Sequence, residues 1–457
     1  MCLLLRDAVP HVTGIFLFGG VMDLDIKKWA EENSSYLNYK HFDCKVAVKD
    51  VIEDVSNPAY IEKHPFKPFI HFTKEMIKYS KEKGRYSKTR SLYKASHLDA
   101  CVYQYYSHLL NELYNQKAKE LKLNETAIAY RSNIRKNNIH FAKEAFDFIR
   151  AHPQCTVILS DFTNFFDTLD HTYLKEQLCK LLEVESLPGD FYKIYKSITR
   201  YSAVEENELL EYIKENNIKT YSKLLLPMSE MRKHGHLIKS NKNNFGIPQG
   251  ASISAVLSNI YMMDFDVACR LLLKSYNGLY MRYSDDSIFV FPNTSPSQAK
   301  RLFDGIIKIV KRIPNLELSP EKTKVFYYEK TKILNLSRDI GSANTKSFID
   351  YLGFTFDGKC VRIRGKTTSK YYYRVYKKID TINKNNSDPD RTKDYGTKNL
   401  YEIYSAKGTR TSNRRFLSYI QRCEQIFGKD EKIAHVLYTH YGKIKRRLKP
   451  KITKTGD

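Results

Sequence analysis

The chain has 457 residues, 42% of them apolar and 28% charged, which excludes collagenous, membrane-spanning and wholly disordered classes. Its 76 Lys and Arg against 51 Asp and Glu leave a net charge of +25, a balance that calls for a polyanionic partner, nucleic acid before an anionic membrane surface. The length allows about three domains on ordinary packing grounds.

Residues 1–21 carry Leu3-Leu4-Leu5 and Ile15-Phe16-Leu17-Phe18, but Arg6, Asp7, Pro10 and His11 interrupt them. They read as an N-terminal extension, neither a membrane span nor a signal peptide. Residues 22–155 read as mostly helical. Helical spacing is clearest at Leu98, Val102, Tyr105, Leu109 and Leu113, and again at Phe141, Ala145 and Phe148. A buried strand, Thr156-Val157-Ile158-Leu159, then runs into Asp161-Phe162-Thr163-Asn164-Phe165-Phe166-Asp167, and Asp170 can cap the next helix. Residues 185–243 read as a polar helical insertion. Phe245 to Gly250 is a turn-rich segment before a helix with Ile253, Leu257, Ile260 and Tyr261 on one stripe.

Leu279 to Phe291 reads as strand, tight turn at Ser284-Asp285-Asp286, and strand. A helix from Ala299 leads to the Lys322 loop, and Ile349 to Phe356 reads as a hairpin segment turning at Asp357-Gly358. The stretch 380–399 reads as a solvated loop, and basic helices close the chain with Phe416, Ile420, Cys423 and Phe427 on one stripe. Residues 358–457 hold 26 Lys and Arg against 9 Asp and Glu, so the charge excess is concentrated there. The eight cysteines are scattered without a C-x-x-C pair, which argues for reduced thiols in a cytoplasmic protein.

Asp161 at the end of a buried strand and Asp285-Asp286 in a hairpin turn are the chemical centre of this pattern. Adjacent carboxylates repel unless cations neutralise them. Mg²⁺ takes hard oxygen ligands and shares its remaining positions with phosphates. Three carboxylates suit two Mg²⁺ ions about 3.5–4 Å apart that serve nucleotidyl transfer, with Mn²⁺ as a substitute. Taken by itself, Asp-Asp is also an ordinary turn dipeptide.

In order, strand–Asp161–x₄–Phe166, Pro248-Gln249-Gly250-x₃-Ser254, Tyr283-Ser284-Asp285-Asp286, the Lys322 loop and Tyr351-Leu352-Gly353 resemble the reverse transcriptase family. The resemblance spans roughly residues 85–360. It implies an α+β right-hand polymerase with fingers, a palm built on a split βαβ sheet and a mostly helical thumb. On that plan residues 22–155 hold the N-terminal helical region and fingers. Residues 156–360 hold the palm, and 361–457 hold the basic thumb. It also implies RNA-directed DNA synthesis from deoxynucleoside triphosphates.

Carried over position by position, Asp161, Asp285 and Asp286 would be the Mg²⁺ ligands and Phe166 the aromatic gate that excludes a ribose 2′-hydroxyl. Gln249 would touch the incoming nucleotide and the template, and Arg131 and Lys136 would hold the triphosphate. Lys322 is a candidate general acid for the departing pyrophosphate, with Lys324 as its rival. Tyr351, Leu352 and Gly353 match the primer grip. Tyr371, Tyr372 and Tyr373 are interleaved with basic residues, as in a surface that stacks bases. Lys443, Lys445, Arg446 and Arg447 form a basic cluster suited to phosphates.

The chain lacks the Asn-Ala-x-x-His signature of retron enzymes and a His- and Cys-rich nuclease segment. Gln249 to Ala255, followed by Asn259 to Asp266, looks more like the bacterial abortive-infection and defence-associated "unknown group". That resemblance implies anti-phage defence with a structured non-coding RNA as template, a DNA product, no membrane, and a homo-oligomer left open. Template-independent or protein-primed synthesis at the same site, an RNA-dependent RNA polymerase and an inactive RNA-binding scaffold are the alternatives. Phe166 argues against ribonucleotide substrates, and the three aspartates argue against a scaffold.

Overall fold

The computed structural model describes residues 15–17, 20–22, 25–80, 84–218, 220, 224–387, 396–404 and 416–449. Within the N-terminal extension, Ile15–Leu17 and Gly20–Met22 pair antiparallel, and its other residues lie outside the described set. No helix among the described residues is long and apolar enough to cross a membrane.

In chain order, the strands β1 (Phe69–Ser80) and β2 (Gly84–Lys94) precede the helices α1 (His97–Glu120) and α2 (Asn138–Ala151). Strand β3 (Gln154–Asp161), helix α3 (His171–Leu182), strands β4 (Ser202–Glu205) and β5 (Lys239–Ser240) and helix α4 (Ser252–Tyr261) follow. Next come β6 (Leu279–Tyr283), β7 (Asp286–Pro292), β8 (Lys324–Glu329) and β9 (Lys332–Asn335). Three short strands, β10 (Ile349–Tyr351), β11 (Phe354–Phe356) and β12 (Val361–Ile363), lead to helices α5 (Gly365–Asn386), α6 (Phe416–Phe427) and α7 (His435–Arg447). The result is an α+β fold with mixed sheets and helical regions.

The chain divides into two compact units. The first comprises Met1–Asn133, Phe162–Ala268 and Ile309–Glu317. Its sheet has the order β2-β1-β4-β5, with β1 antiparallel to β2 and parallel to β4. The β1–β2 hairpin corrects the expectation of a mostly helical segment at 22–155. Both of its faces carry Lys, Thr and Ser beyond a buried root at Phe69 and Ile70, so no apolar alternation marks it in the sequence. Strands β4 and β5 likewise interrupt the helical insertion expected at 185–243. Helix α1 begins where the Ser96 hydroxyl accepts from the Asp99 amide, and it buries Val102, Tyr105, Tyr106, Leu109 and Leu110. A core of Phe42, Ile70, Val204, Leu209, Ile213 and Met231 fixes the root of the hairpin against the short strands.

The second unit comprises Ile134–Asp161, Cys269–Lys308 and Leu318–Asp457. Its main sheet is antiparallel throughout, in the order β9-β8-β3-β7-β6. Strand β3 is central, and Val157, Ile158, Ile288, Phe289, Val290, Val325 and Phe326 around it are fully buried. Each such side chain contributes about 1.5–3 kcal/mol on leaving water, enough to fix the strand register. A smaller sheet, β10-β11-β12, packs Phe356 against Phe146 of α2, with ring centroids 5.4 Å apart.

Two expectations are corrected here. The first turn of the Ile349–Phe356 segment lies at Leu352-Gly353, where φ is +45° and +96°, and Asp357-Gly358 makes a second turn into β12. The stretch expected as a loop from 380 is helical to Asn386, because Ile379 and Ile382 continue the buried face of α5. Residues 388–395 of that stretch lie outside the described set.

Candidate active site

The register of the main sheet sets Asp161 directly opposite Asp286. Opposed residues on neighbouring antiparallel strands hold their Cβ atoms about 4.5–5.5 Å apart, so two carboxylates meet at one end of these two interior strands. Asp286 opens β7 and also pairs with Tyr283, which leaves Ser284 and Asp285 as the connecting turn. Ser284 is left-handed, with φ +60°. The fully buried Arg282 braces the turn by donating from Nη1 to the Ser284 carbonyl at 3.0 Å. Such a conformation is costly for a residue with a Cβ, and it persists where the surroundings over-determine it.

Lys322 forms an ion pair with Asp161. Its loop is tied to the same residue through the backbone, since the Ser319 amide donates to the Asp161 carbonyl at 2.7 Å and the Lys322 amide to the Ser319 carbonyl at 3.2 Å. Asp161 is 13% exposed and Lys322 47%, so the pair sits at an open mouth. The Asp286 carboxyl is pushed up to about 7 by its packed surroundings, then by the charges of Asp285 and Asp161, with Arg364 and Lys322 opposing. Its side chain nevertheless keeps an open face to solvent. Loss of water is therefore partial, and the like charges of Asp285 and Asp161 carry much of the shift. Burial lowers Lys324 below the ordinary lysine range; Asp350 and Asp286 oppose this, and Lys346 and Arg364 reinforce it.

Tyr351, Leu352 and Gly353 belong to this same unit. Tyr351 is buried, and its hydroxyl has no hydrogen-bond partner among the described residues. Burial, then the charges of Asp286 and Tyr283, raise that hydroxyl well above the ordinary range. Leu352 keeps its left-handed turn because Asn138 Nδ2 donates to its carbonyl at 3.0 Å, while the Arg364 amide donates to the Gly353 carbonyl at 2.9 Å.

Phe166 and Gln249 lie in the first unit, where the structure ties their segments together. The Ile247 amide donates to the Phe166 carbonyl at 2.9 Å, and the Tyr93 amide to the Gln249 carbonyl at 2.8 Å. Two glycines permit this. A Cβ on Gly246 (φ +88°) would meet the Asp167 carbonyl oxygen at 2.9 Å, and one on Gly250 (φ +119°) would meet that of Tyr93 at 2.5 Å.

The remaining expected site residues are placed separately. Arg131 is buried in the first unit, with Nε donating to Asn115 at 2.9 Å, Nη2 to Asn124 at 2.7 Å and Nη1 to the Ala127 carbonyl at 3.1 Å. Lys136, in the second unit, pairs with Glu144 at 2.5 Å. Lys443, Lys445, Arg446 and Arg447 lie on α7, where the Lys443 ammonium sits 4.4 Å from the Tyr372 ring and Arg447 pairs with Asp380 at 3.1 Å. Tyr371 and Tyr372 are buried, and Tyr373 is exposed.

Sequence reasoning missed one basic pair. Lys74 and Arg90 face each other across the β1–β2 hairpin, both exposed, with Lys88 two residues along the same face. The even spacing of Lys88, Arg90 and Lys94 was the available signal.

Among the described residues, no three His, Cys, Asp or Glu side chains converge as a closed metal cage. Mg²⁺ does not need one, because it is held by one or two carboxylates and completed by substrate phosphates and water. A cross-strand carboxylate pair open to solvent, with one member raised by burial and by its neighbours' charge, fits such an ion.

Residues 101–356, more than half of the chain, match the family model described as Reverse transcriptase (RNA-dependent DNA polymerase). The chain belongs to the reverse transcriptase family. It is accordingly a reverse-transcriptase-type enzyme, and the matched span takes in the three aspartates, Phe166, Gln249, Lys322 and Tyr351. No curated protein sequence matches this reverse transcriptase. Among solved structures, apo telomerase from Candida tropicalis, truncated from the C-terminal domain, is 13% identical over 74% of this chain and 58% of its own, with a TM-score of 0.40. Telomerase from Candida albicans in complex with the TWJ fragment of telomeric RNA is 12% identical over 94% of this chain and 59% of its own, with a TM-score of 0.41. The reverse transcriptase thus spans less than two thirds of the telomerase chains it matches.

Proposed function

We propose that this enzyme copies RNA into DNA at the strand ends that carry Asp161, Asp285 and Asp286. The observation that carries the reading is the cross-strand pairing of Asp161 with Asp286, whose carboxyl is raised by burial and by neighbouring negative charge. A pair of Mg²⁺ ions there would lower the pKa of the primer 3′-hydroxyl and stabilise charge on the leaving pyrophosphate. The rest is done by side chains. Lys322 neutralises Asp161 before substrate arrives, and on release its ammonium can give a proton to the leaving group. Phe166 and Gln249, each held through its backbone carbonyl, are the residues proposed for the sugar and base pocket. Lys74, Lys88 and Arg90 on the β1–β2 hairpin are further candidates for holding a triphosphate. In this reading the β1–β2 hairpin belongs to the fingers, the β9-β8-β3-β7-β6 sheet to the palm and α5–α7 to a basic thumb.

The setting we propose is bacterial anti-phage defence in the cytoplasm, with a structured non-coding RNA as template. The runs Gln249–Ala255 and Asn259–Asp266 support it. Primer extension on an RNA template tests the reading. The protein should add deoxynucleotides with Mg²⁺, and Asp285→Asn should abolish addition while leaving RNA retention intact. Wild-type extension by Asp285→Asn refutes the assignment.

A further inference from the structure

The two-residue connection between β10 and β11 is held in place from outside. Leu352 and Gly353 both have positive φ, +45° and +96°. That is the backbone of a tight hairpin turn whose first central position ordinarily belongs to Asn, Asp or Gly. A leucine there crowds its Cβ against the carbonyl oxygen that follows, so the conformation needs support. Asn138, the first residue of α2, supplies it by donating from Nδ2 to the Leu352 carbonyl at 3.0 Å. The same Nδ2 donates to the Tyr419 hydroxyl of α6 at 3.3 Å. On the other side the Arg364 amide donates to the Gly353 carbonyl at 2.9 Å.

A carbonyl only accepts, so the NH₂ end of Asn138 must face the turn, and with the Tyr419 oxygen both of its N–H groups are used. Tyr419 is fixed in its turn. It is half-buried and hydrogen-bonded to Cys423 one turn along α6, and Phe354 packs against Phe427 of the same helix with ring centroids 4.9 Å apart. The turn at 352–353 is thus placed by α2 and α6. It also adjoins the aspartates. The hydroxyl of Tyr351, the residue before the turn, feels the charges of Asp286 and Tyr283. Asp350 pairs with Arg364 at 2.5 Å, and the charge of Arg364 bears on Asp286. Leu352 and Gly353 themselves stay half-exposed.

We propose that Asn138 is a positioning residue: by tying the turn at 352–353 to α2 and α6, it sets where the 3′ end of a primer rests relative to Asp161 and Asp286. This rests on the reading that those aspartates extend a primer. Asn138 acts through the turn and not on the reacting atoms. Misplacing a reacting end by about 1 Å costs about a hundredfold in rate. A turn loosened by the loss of this one side chain therefore weighs on synthesis far more than on folding.

The test is extension of a DNA primer pre-annealed to an RNA template by the full-length protein, with matched and 3′-mismatched primers. The ratio of the two rates does not depend on how much of a preparation is folded, so a general loss of stability leaves it unmoved. Asn138→Ala removes both donors. Asn138→Asp keeps the shape and places a carboxylate in the first turn of α2, where negative charge is favoured, but it cannot donate. Both variants should slow the matched primer by about tenfold or more. The mismatched end is already out of place and should slow much less, so the ratio shrinks. The cycle is completed in a Leu352→Asn background, because Asn-Gly takes this turn unaided. There Asn138→Ala should change the ratio by no more than about twofold, as expected once the coupling is gone. If Asn138→Ala fails to fold, Asn138→Asp takes its place in both backgrounds. An unchanged ratio in a folded variant, or an equal fall in both backgrounds, overturns the proposal. Wild type that extends no primer refutes the polymerase reading, whereas wild-type extension with an unmoved ratio in the variants refutes only the role of Asn138.

Discussion

Replacing Asp286 with Asn should make the metal-free protein more stable at pH 8 and catalytically dead, a combination that an ordinary turn aspartate would not give. The folded carboxyl titrates at about 7 against 3.8 for an unperturbed one. Between those values the folded state binds more protons than the unfolded state, so stability falls as pH rises through that window and stays low above it. A gap of about three pKa units at about 1.36 kcal/mol each gives a ceiling of about 4 kcal/mol. The open face of Asp286 and solvent screening reduce this to about 1–2 kcal/mol. Urea unfolding followed by circular dichroism, with chelator present, should place Asp286→Asn above wild type by that amount at pH 8. The two should converge as pH falls below about 4, where both side chains are neutral. Millimolar Mg²⁺ should then stabilise wild type and leave the variant unchanged, because a ligand stabilises only the state that binds it. A variant less stable than wild type at pH 8 in chelator, or equal stabilisation of both proteins by Mg²⁺, would show that Asp286 is not a destabilised cation ligand.

Phe166→Ala should raise ribonucleotide incorporation relative to deoxynucleotide in single-nucleotide extension, and an unchanged ratio removes Phe166 from the sugar pocket. Arg131→Ala strips partners from Asn115, Asn124 and the Ala127 carbonyl in a buried setting, so it should cost about 3 kcal/mol or more in urea unfolding. A near-zero loss would free Arg131 for a role toward substrate. Replacing Lys443, Lys445, Arg446 and Arg447 with Gln should flatten the slope of log K against log salt for single-stranded RNA by about 2, at about 0.7 per phosphate. The loss is below that for four full contacts because Arg447 already pairs with Asp380. An unchanged slope would make α7 a merely solvated helix.

Much of this fold is legible in the residues because local pattern and burial agree. The 3.6-residue spacing around Val102 and Leu109 marks α1, and the β-branched run at Thr156–Leu159 marks the strand that becomes central. The β1–β2 hairpin leaves no such trace because most of it buries neither face. The turn at Leu352 is hidden for the opposite reason. Leucine disfavours the left-handed region, and the conformation is held from outside by Asn138, a residue far away in sequence. The site follows the same division. Asp161, Asp285 and Asp286 stand out by motif order, but the opposition of Asp161 to Asp286 depends on strand register, which is set by the packing of Ile158, Val290 and Phe326. The Lys322–Asp161 pair depends on how Ser319 folds back onto the end of β3.

The strand order β9-β8-β3-β7-β6 also has a consequence for the chain during its synthesis. Strand β3 emerges early, yet both of its neighbours in the sheet, β7 and β8, are made much later. At about 5–20 residues per second a ribosome needs about 6–25 seconds to bring Asp286 out after Asp161. Throughout that interval the carboxylate of Asp161 has no opposite number, and the apolar flanks of β3 lack their cover. A stalled or truncated nascent chain that ends before β7 therefore carries a sticky strand and lacks the proposed carboxylate pair. On the proposed reading, competence therefore waits for the β6–β7 hairpin to close against β3 and for the Lys322 loop that follows it.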